Sequence, residues 1–496
     1  MEKQTKISKK LEEARSYEKE AMEKGTVSPK QSFHVCAPVG WINDPNGFSE
    51  YKGEYHLFFQ YHPYSTSWGP MHWGHMTTKD FICWEHLPAA LAPDKKYDGF
   101  GCFSGSAIEW QGKHVIAYTG VETKTDADGA KKEYQMQCIA VGDGCNYQKL
   151  AANPVITKEK IPKGGSELDF RDPKIWVEDD GICMVVGNRA ADGSGQILMY
   201  RTNDLKQWEF VTILDKCDNR YGKMWECPDF FSLDDVHVLM VSPQEMQAKE
   251  NELHAGDGTI YILGEFEKER ASFQEKTVRA LDMGLDFYAP QTMCTSDGRR
   301  IMIAWMQAWC ASWFDERDGF CGMMTVPREL AIRDGILCQN PVRELENYYQ
   351  NRVECKDIVL AEEFQKYESL SGREQNLDIT LSGSDAYQFE MRLAADETYY
   401  SSITYDKKEQ LLTFDRSYSG VRRDAAHTRS MRVLSNDAIV KLRIVMDRYS
   451  IEIFVNDGEQ AMTSIIRTPY EVDGVYLRAQ GNVSVDIIKH QICIER

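Results

Sequence analysis

Lys79-Asp80-Phe81-Ile82-Cys83-Trp84-Glu85 and Asn203-Asp204-Leu205-Lys206-Gln207-Trp208-Glu209 are two copies of one pattern, 124 residues apart. Each follows a run that reads as a strand, and each has an aspartate four residues before a tryptophan. Between them, Gly144-Cys145-Asn146-Tyr147-Gln148-Lys149-Leu150 reads as a degenerate third copy, with Tyr147 in place of tryptophan. The spacing implies a repeating unit of roughly 60 residues, so residues 33–345 hold about five units. The texture of that region is uniform: short runs rich in β-branched, aromatic or large apolar residues, bounded by Gly, Asp or Pro. Glu54–Gln60, His114–Tyr118, Ile182–Val186, Gln196–Tyr200, Val236–Val241 and Arg300–Trp305 are such runs. Repeated four-stranded units of this length point to a β-propeller, whose blades surround a central channel. The alternative is a chance match of two short motifs, which would leave the uniform texture unexplained.

Outward from the repeats the organisation changes twice. Residues 1–32 carry Lys, Glu and Ala at helical density and read as an exposed helical extension ending at Gly25. Residues 346–366 are polar and irregular and read as a linker. From 367 to 496 strands resume with cleaner alternation, as in Gln388–Leu393, Lys441–Met446 and Ser450–Val455, the last followed by a turn at Asn456-Asp457-Gly458. That pattern reads as an antiparallel β-sandwich. The expected chain is all-β: a helical extension, a propeller over 33–345, a linker and a sandwich.

The 496 residues exceed one ordinary domain. No apolar run approaches the ~20 residues of a membrane helix. The charged N-terminus is unlike a secretory signal peptide, so a cytoplasmic location is expected. A formal net charge of −19 disfavours nucleic acid and anionic membranes as partners. None of the fourteen cysteines forms a Cys-x-x-Cys pair. Their apolar contexts read as buried thiols in a reducing compartment. Neither they nor the eleven histidines show metal-ligand spacing, so no metal or other cofactor is expected.

Three carboxylates stand out. In Trp41-Ile42-Asn43-Asp44-Pro45-Asn46-Gly47, Pro45 stiffens the backbone and restricts Asp44. Asn46-Gly47 reads as a tight turn, placing Asp44 at the end of a short strand. A carboxylate held this way suits nucleophilic attack. Phe170-Arg171-Asp172-Pro173 repeats the Asp-Pro step, and its arginine should keep the aspartate ionised. Glu226, in Met224-Trp225-Glu226-Cys227-Pro228, has an apolar sequence setting of the kind that raises a carboxyl pKa, as a general acid requires. The three are 128 and 54 residues apart, or about two units and one unit. A propeller brings such positions from different blades to one channel. Two carboxylates facing one bond are the machinery of glycoside hydrolysis. Sugar-binding residue types surround them: Trp41, Gln60, Trp68, Trp73, Phe103-Ser104, Trp225, Tyr288, Trp305 and Trp309. Asn43 and Arg171, beside the two aspartates, complete the substrate-binding candidates.

Trp41–Gly47, Phe103–Ser106, Phe170–Pro173 and Trp225–Pro228, in this order and spacing, resemble glycoside hydrolase family 32, the invertase and β-fructosidase family. Phe58–Pro63, Trp73–His75, Asp286–Ala289, Met324–Leu330 and Ile451–Phe454 fit as well. The resemblance spans nearly the whole chain after residue 33. It implies a five-bladed propeller with a C-terminal sandwich, Asp44 as nucleophile and Glu226 as acid/base. It further implies that Asp172 stabilises the transition state through fructose hydroxyls. The reaction implied is retaining hydrolysis of a β-fructofuranosyl bond, with the two carboxyls about 5–5.5 Å apart. Sucrose, sucrose 6-phosphate and short fructo-oligosaccharides all qualify as substrates. A fructosyltransferase and a non-catalytic fructan-binding protein are the rival readings. Ile42 stands where Met is common, and Ala308 where the family varies. The helix could pack on a neighbouring subunit of a homo-oligomer.

Overall fold

Five sheets follow one another around an axis in the computed structural model, which describes residues 7–25, 29–125, 129–178, 181–309, 318–423, 425–434 and 438–494. Blade 1 consists of Gly40–Tyr51, Glu54–His62, His72–Thr78 and Trp84–Leu91 in antiparallel sequence order. Blade 2 runs from Gly101–Trp110 to Tyr147–Lys149, blade 3 from Gly165–Glu178 to Glu209–Lys216, and blade 4 from Trp225–Leu233 to Ser272–Ala280. Blade 5 runs from Tyr288–Cys294 to Ile336–Pro341. The first strands of neighbouring blades pack on one another and so line the axis. Phe320–Cys321, from the long connection inside blade 5, pairs in parallel with Gly40–Trp41 and ties the last blade to the first.

The repeat that suggested the propeller is a turn between the third and fourth strands. In blade 1, Asp80 Oδ1 accepts from the backbone N–H of Ile82 and Cys83, Phe81 has φ +63°, and Trp84 Nε1 donates to the Phe81 carbonyl. In blade 3, Asp204, Leu205 (φ +65°) and Trp208 do the same. In blade 2, Asp143 caps Cys145 and Asn146, Gly144 takes the positive φ, and Tyr147 follows. The aspartate fixes the turn by satisfying two N–H groups that lack sheet partners.

A second repeat lies in the first strands. Each is bulged at one level, with register breaks at Ile42/Pro45, Phe103/Gly105, Arg171/Lys174, Glu226/Asp229 and Tyr288/Gln291. Four of these bulges contain a proline (Pro45, Pro173, Pro228, Pro290) and the fifth contains Gly105. Proline has no N–H to give a ladder, so within a sheet it is confined to edge strands, strand starts and bulges, and here it sits at the bulges of the inner strands. A Cβ on Gly105 would lie 2.0 Å from the Ala117 carbonyl oxygen. Asn46-Gly47 therefore makes no hairpin, contrary to the sequence expectation. It sits inside the strand Gly40–Tyr51, and the chain reverses at Lys52-Gly53, both at positive φ. A second register break of this strand, between Asn46 and Ser49, takes up the Asn-Gly pair. Below the bulges, Lys174 of blade 3 bonds Asp229 of blade 4 at 2.9 Å and the Thr292 carbonyl of blade 5, locking the axis.

The sandwich has two six-stranded sheets, one from Tyr349–Val359 to Gln460–Ile465 and one from Gln365–Lys366 to Thr428–Arg432. Its core includes Leu377, Ile379, Phe389, Met391, Ile444 and Leu477. The expected linker, 346–366, is mostly strand. Tyr349–Val359 pairs with Ser484–Ile492 at the edge of the first sheet, and Gln365–Lys366 pairs with Gly474–Gly481. As an edge strand exposing most of its side chains, Tyr349–Val359 carries the polar sequence that reads as irregular chain.

The helix Lys9–Lys24 starts on Ser8 and ends on Gly25. It turns Leu11, Ala14 and Glu18 onto the outer strand of blade 1. Arg15 Nε donates to the Ala89 carbonyl at 2.8 Å, and Glu18 accepts from Ala89 N at 3.2 Å and faces His86 Nε2 at 2.8 Å. The helix thus caps a sheet edge that would otherwise offer free pairing groups. Removing residues 1–25 is expected to lower the thermal unfolding midpoint by several degrees and to leave kcat/KM unchanged. Differential scanning calorimetry and initial rates check both.

Candidate active site

Two adjacent positions in each bulge build the site: Asn43-Asp44, Phe103-Ser104, Arg171-Asp172, Glu226-Cys227 and Tyr288-Ala289. A bulge breaks the strict alternation of a strand, so consecutive side chains can turn toward one side. Asp172, Cys227 and Ala289 hold φ of +67°, +47° and +51°. Such backbone costs energy in non-glycine residues and is held here by the paired residues that precede and follow each bulge along the strand.

Asp44 is 8% exposed. Its Oδ1 accepts from Asn43 Nδ2 at 3.0 Å, and its Oδ2 accepts from Ser104 Oγ at 2.5 Å and faces the Cys227 thiol at 3.5 Å. Asn43 is in turn held by Trp41 Nε1 at 2.8 Å. Burial pushes the Asp44 pKa up and the charge of Glu226 adds to this, while the three hydrogen bonds oppose it. Asp172 is 6% exposed, and its Oδ2 accepts from Cys227 N at 2.9 Å. Its own N–H donates to Thr119 Oγ1, which bonds Gln137, which bonds the Phe170 carbonyl. Burial, followed by the charge of Glu226, raises its pKa to about 7; Arg171 pulls the other way.

Glu226 keeps a path to solvent. Arg171 Nε donates to its Oε1 at 2.8 Å, while Gln244 Nε2 at 2.9 Å and the Tyr288 hydroxyl at 2.7 Å donate to Oε2. Two expectations are thereby corrected. The apolar neighbours Met224 and Trp225 are wholly buried, and the Glu226 carboxylate meets polar partners instead. Arg171 bonds its guanidinium to Glu226 of the neighbouring blade, while the Asp172 carboxylate accepts from the Cys227 N–H. Asp172 is therefore not held in its ordinary carboxylate range.

The other candidates separate into layers. Asn43, Ser104, Arg171 and Tyr288 touch the carboxylates. Trp41 is buried behind Asn43, 6.5 Å from the near-parallel Trp309 ring. Gln60 is buried, with its amide N–H on the Cys102 carbonyl. Trp68 and Trp309 stand exposed, and Trp68 packs edge-on against half-buried Phe103 with centroids 5.8 Å apart. Trp73, Trp225 and Trp305 are core, each with its indole N–H bonded inside the protein. Cys227, Gln244, Gln135 and Thr119 belong to the site and were not foreseen. Cys227 was legible from the residue-Pro step that it shares with Asp44 and Asp172. Thr119 and Gln135 lie on the second and third strands of blade 2, and Gln244 just past the second strand of blade 4, with no such mark.

A nearly buried carboxylate held by fixed donors, beside a hydrogen-bonded carboxyl open to solvent, can attack an acetal carbon and protonate the departing oxygen. The glycosyl hydrolases family 32 N-terminal domain matches residues 34–341, and the family 32 C-terminal domain matches residues 344–492. A sucrose-6-phosphate hydrolase of Escherichia coli is 38% identical over 91% of this chain and 92% of its own length. A raffinose invertase of Escherichia coli is 37% identical over 88% of each chain. Among solved structures, a β-fructofuranosidase of Bombyx mori superposes with a TM-score of 0.84 at 30% identity, covering 97% of this chain and 98% of that one. The chain is a glycoside hydrolase and belongs to glycosyl hydrolase family 32.

Proposed function

We propose that this enzyme is a retaining β-fructofuranosidase that cleaves sucrose or sucrose 6-phosphate. The observation that carries the reading is the convergence of Asp44, Asp172 and Glu226 from blades 1, 3 and 4 on one channel. Glu226 donates its proton to the glycosidic oxygen as Asp44 attacks the anomeric carbon of the fructosyl unit. The bond to the glucosyl oxygen breaks, and the fructosyl group is left esterified to Asp44. Glu226, now a carboxylate, takes a proton from water as that water attacks the same carbon, and Asp44 is released. Asp172 meets the fructosyl hydroxyls. Arg171, Gln244 and Tyr288 fix the direction of the Glu226 carboxyl. Relatives named as sucrose-6-phosphate hydrolases and an invertase support this substrate class.

Initial rates on sucrose, sucrose 6-phosphate and a short inulin-type oligosaccharide test the reading. Fructose should appear from the first two faster than from the third, with water as the main acceptor. Longer oligomers as the main product at high sucrose would make the enzyme a transferase. No fructose from either disaccharide would overturn the substrate assignment.

A further inference from the structure

In blades 2 to 5 the innermost strand ends its sheet, so it has a ladder partner on one side only. Each bulge also leaves residues unpaired, and a buried N–H must then find its acceptor elsewhere. The acceptor comes from the preceding blade. Gly105 N donates to Asn46 Oδ1 of blade 1 at 3.2 Å, and Asp172 N donates to Thr119 Oγ1 of blade 2 at 3.0 Å. Cys227 N donates to Asp172 Oδ2 of blade 3 at 2.9 Å, and Ala289 N to Ser242 Oγ of blade 4 at 3.0 Å. Each blade thus holds the bulge of the next. One of these links is made by a carboxylate of the site itself. The Thr119 hydroxyl therefore stands behind two of the three carboxylates: it holds Asp172, and Asp172 holds the backbone beside Glu226.

Building on the reading that Asp172 meets the fructosyl hydroxyls, we infer that Thr119 is a positioning residue for the reaction. Its hydroxyl sets Asp172, and through it the backbone of Glu226-Cys227, in the geometry that the transition state needs. Thr119 and Gln137 are wholly buried, so Thr119 acts through Asp172 and not on the sugar. A hydroxyl has one proton to give. Thr119 gives it to Gln137 Oε1 at 3.0 Å, which leaves its lone pairs for the Asp172 N–H. Gln137 cannot turn away, because its Nε2 is held by the Phe170 carbonyl at 2.8 Å. The three bonds close a ring around the bulge from Phe170 to Asp172. Blade 2 secures the flanks as well: Gln135 Oε1 accepts from Phe170 N at 2.8 Å, and Ser106 Oγ accepts from Ile175 N at 2.9 Å and donates to the Pro173 carbonyl at 2.8 Å. Within this clamp Asp172 holds a φ of +67°, which is costly for an aspartate. Without the acceptor on Thr119 the backbone can relax, and the carboxylate then swings off the Cys227 N–H and out of register with the sugar.

The test compares three variants in steady-state kinetics on sucrose and sucrose 6-phosphate, with thermal unfolding midpoints alongside. Thr119→Val keeps the shape and removes the oxygen. It should lower kcat about ten- to a hundredfold with a smaller change in KM, because bonds to sugar hydroxyls strengthen in the transition state. Thr119→Ser restores the oxygen and should recover most of that loss. Thr119→Cys, whose sulfur is a weak acceptor, should fall like valine and takes its place if the valine variant does not fold. A valine variant with a lowered midpoint and wild-type kcat would make Thr119 a part of the fold only and overturn the inference. So would a serine variant as slow as valine. If the wild type cleaves neither disaccharide, the functional reading fails instead, and a crystal structure of Thr119→Val decides the positioning by itself. Asp172 Oδ2 displaced from the Cys227 N–H would support it, and Asp172 in its wild-type place would overturn it.

Discussion

Glu226→Gln is expected to lower kcat on sucrose roughly a thousand- to ten-thousandfold, with little change in KM. Glutamine keeps the size and can still meet Arg171 and Tyr288, but it has no proton to give. The glucosyl oxygen is a poor leaving group and depends on that proton. A substrate with an activated aryl leaving group does not, so its first step should lose far less, and fructosyl-enzyme should accumulate because the base for water is also missing. Asp44→Ala should instead lower kcat on both substrates alike, by at least about ten-thousandfold, since no leaving group replaces a nucleophile. Rapid-mixing kinetics on the two substrates separate the roles. If Glu226→Gln lost as much on the activated substrate as on sucrose, the acid assignment would fail.

The second large effect concerns stability. His34 lies wholly buried between the propeller and the sandwich, with Nδ1 2.8 Å from Asp447 Oδ2 and Nε2 2.8 Å from Glu452 Oε1. Asp447 also accepts from the backbone N–H of Ser32 and Phe33, and Glu452 pairs with Arg328. Burial would lower the histidine pKa, but the two carboxylates outweigh it and raise it to about 9. Removing the ring leaves buried carboxylates short of a cation, so His34→Ala should cost about 3–5 kcal/mol. The folded-state pKa lies above the unfolded value of 6.5. The contribution is therefore fully present below pH 6.5 and is lost as pH rises through about 9, a decline of about 3 kcal/mol. Denaturant midpoints measured between pH 6 and 10 should show this decline in the wild type and a flatter profile in His34→Asn. The same slope in both proteins would remove His34 from the account.

Much of this molecule is written in its sequence because the blades repeat. The Asp-x-x-x-Trp turns recur at the same structural place, so matching two short stretches reported a real unit. The three carboxylates were legible for a related reason: a proline inside an inner strand marks a bulge. Asn46-Gly47 misled because a turn-forming pair also suits a bulge, and only the pairing partner distinguishes the two. The edge strand Tyr349–Val359 was hidden by its exposure, which replaces the apolar alternation that betrays a strand. The polar surroundings of Glu226 were invisible locally, since Gln244 follows the second strand of blade 4, Tyr288 opens blade 5 and Arg171 comes from blade 3. Long-range partners of that kind are set by the closure of the propeller and not by neighbours in the chain.

The most direct test of the account is to trap the intermediate. Glu226→Gln would be mixed with an activated β-fructofuranoside, quenched in acid and digested, and its peptides weighed. The account predicts one added fructosyl residue on the peptide that contains Asp44. Turnover with no adduct at all, or an adduct on the peptide containing Asp172, would contradict it.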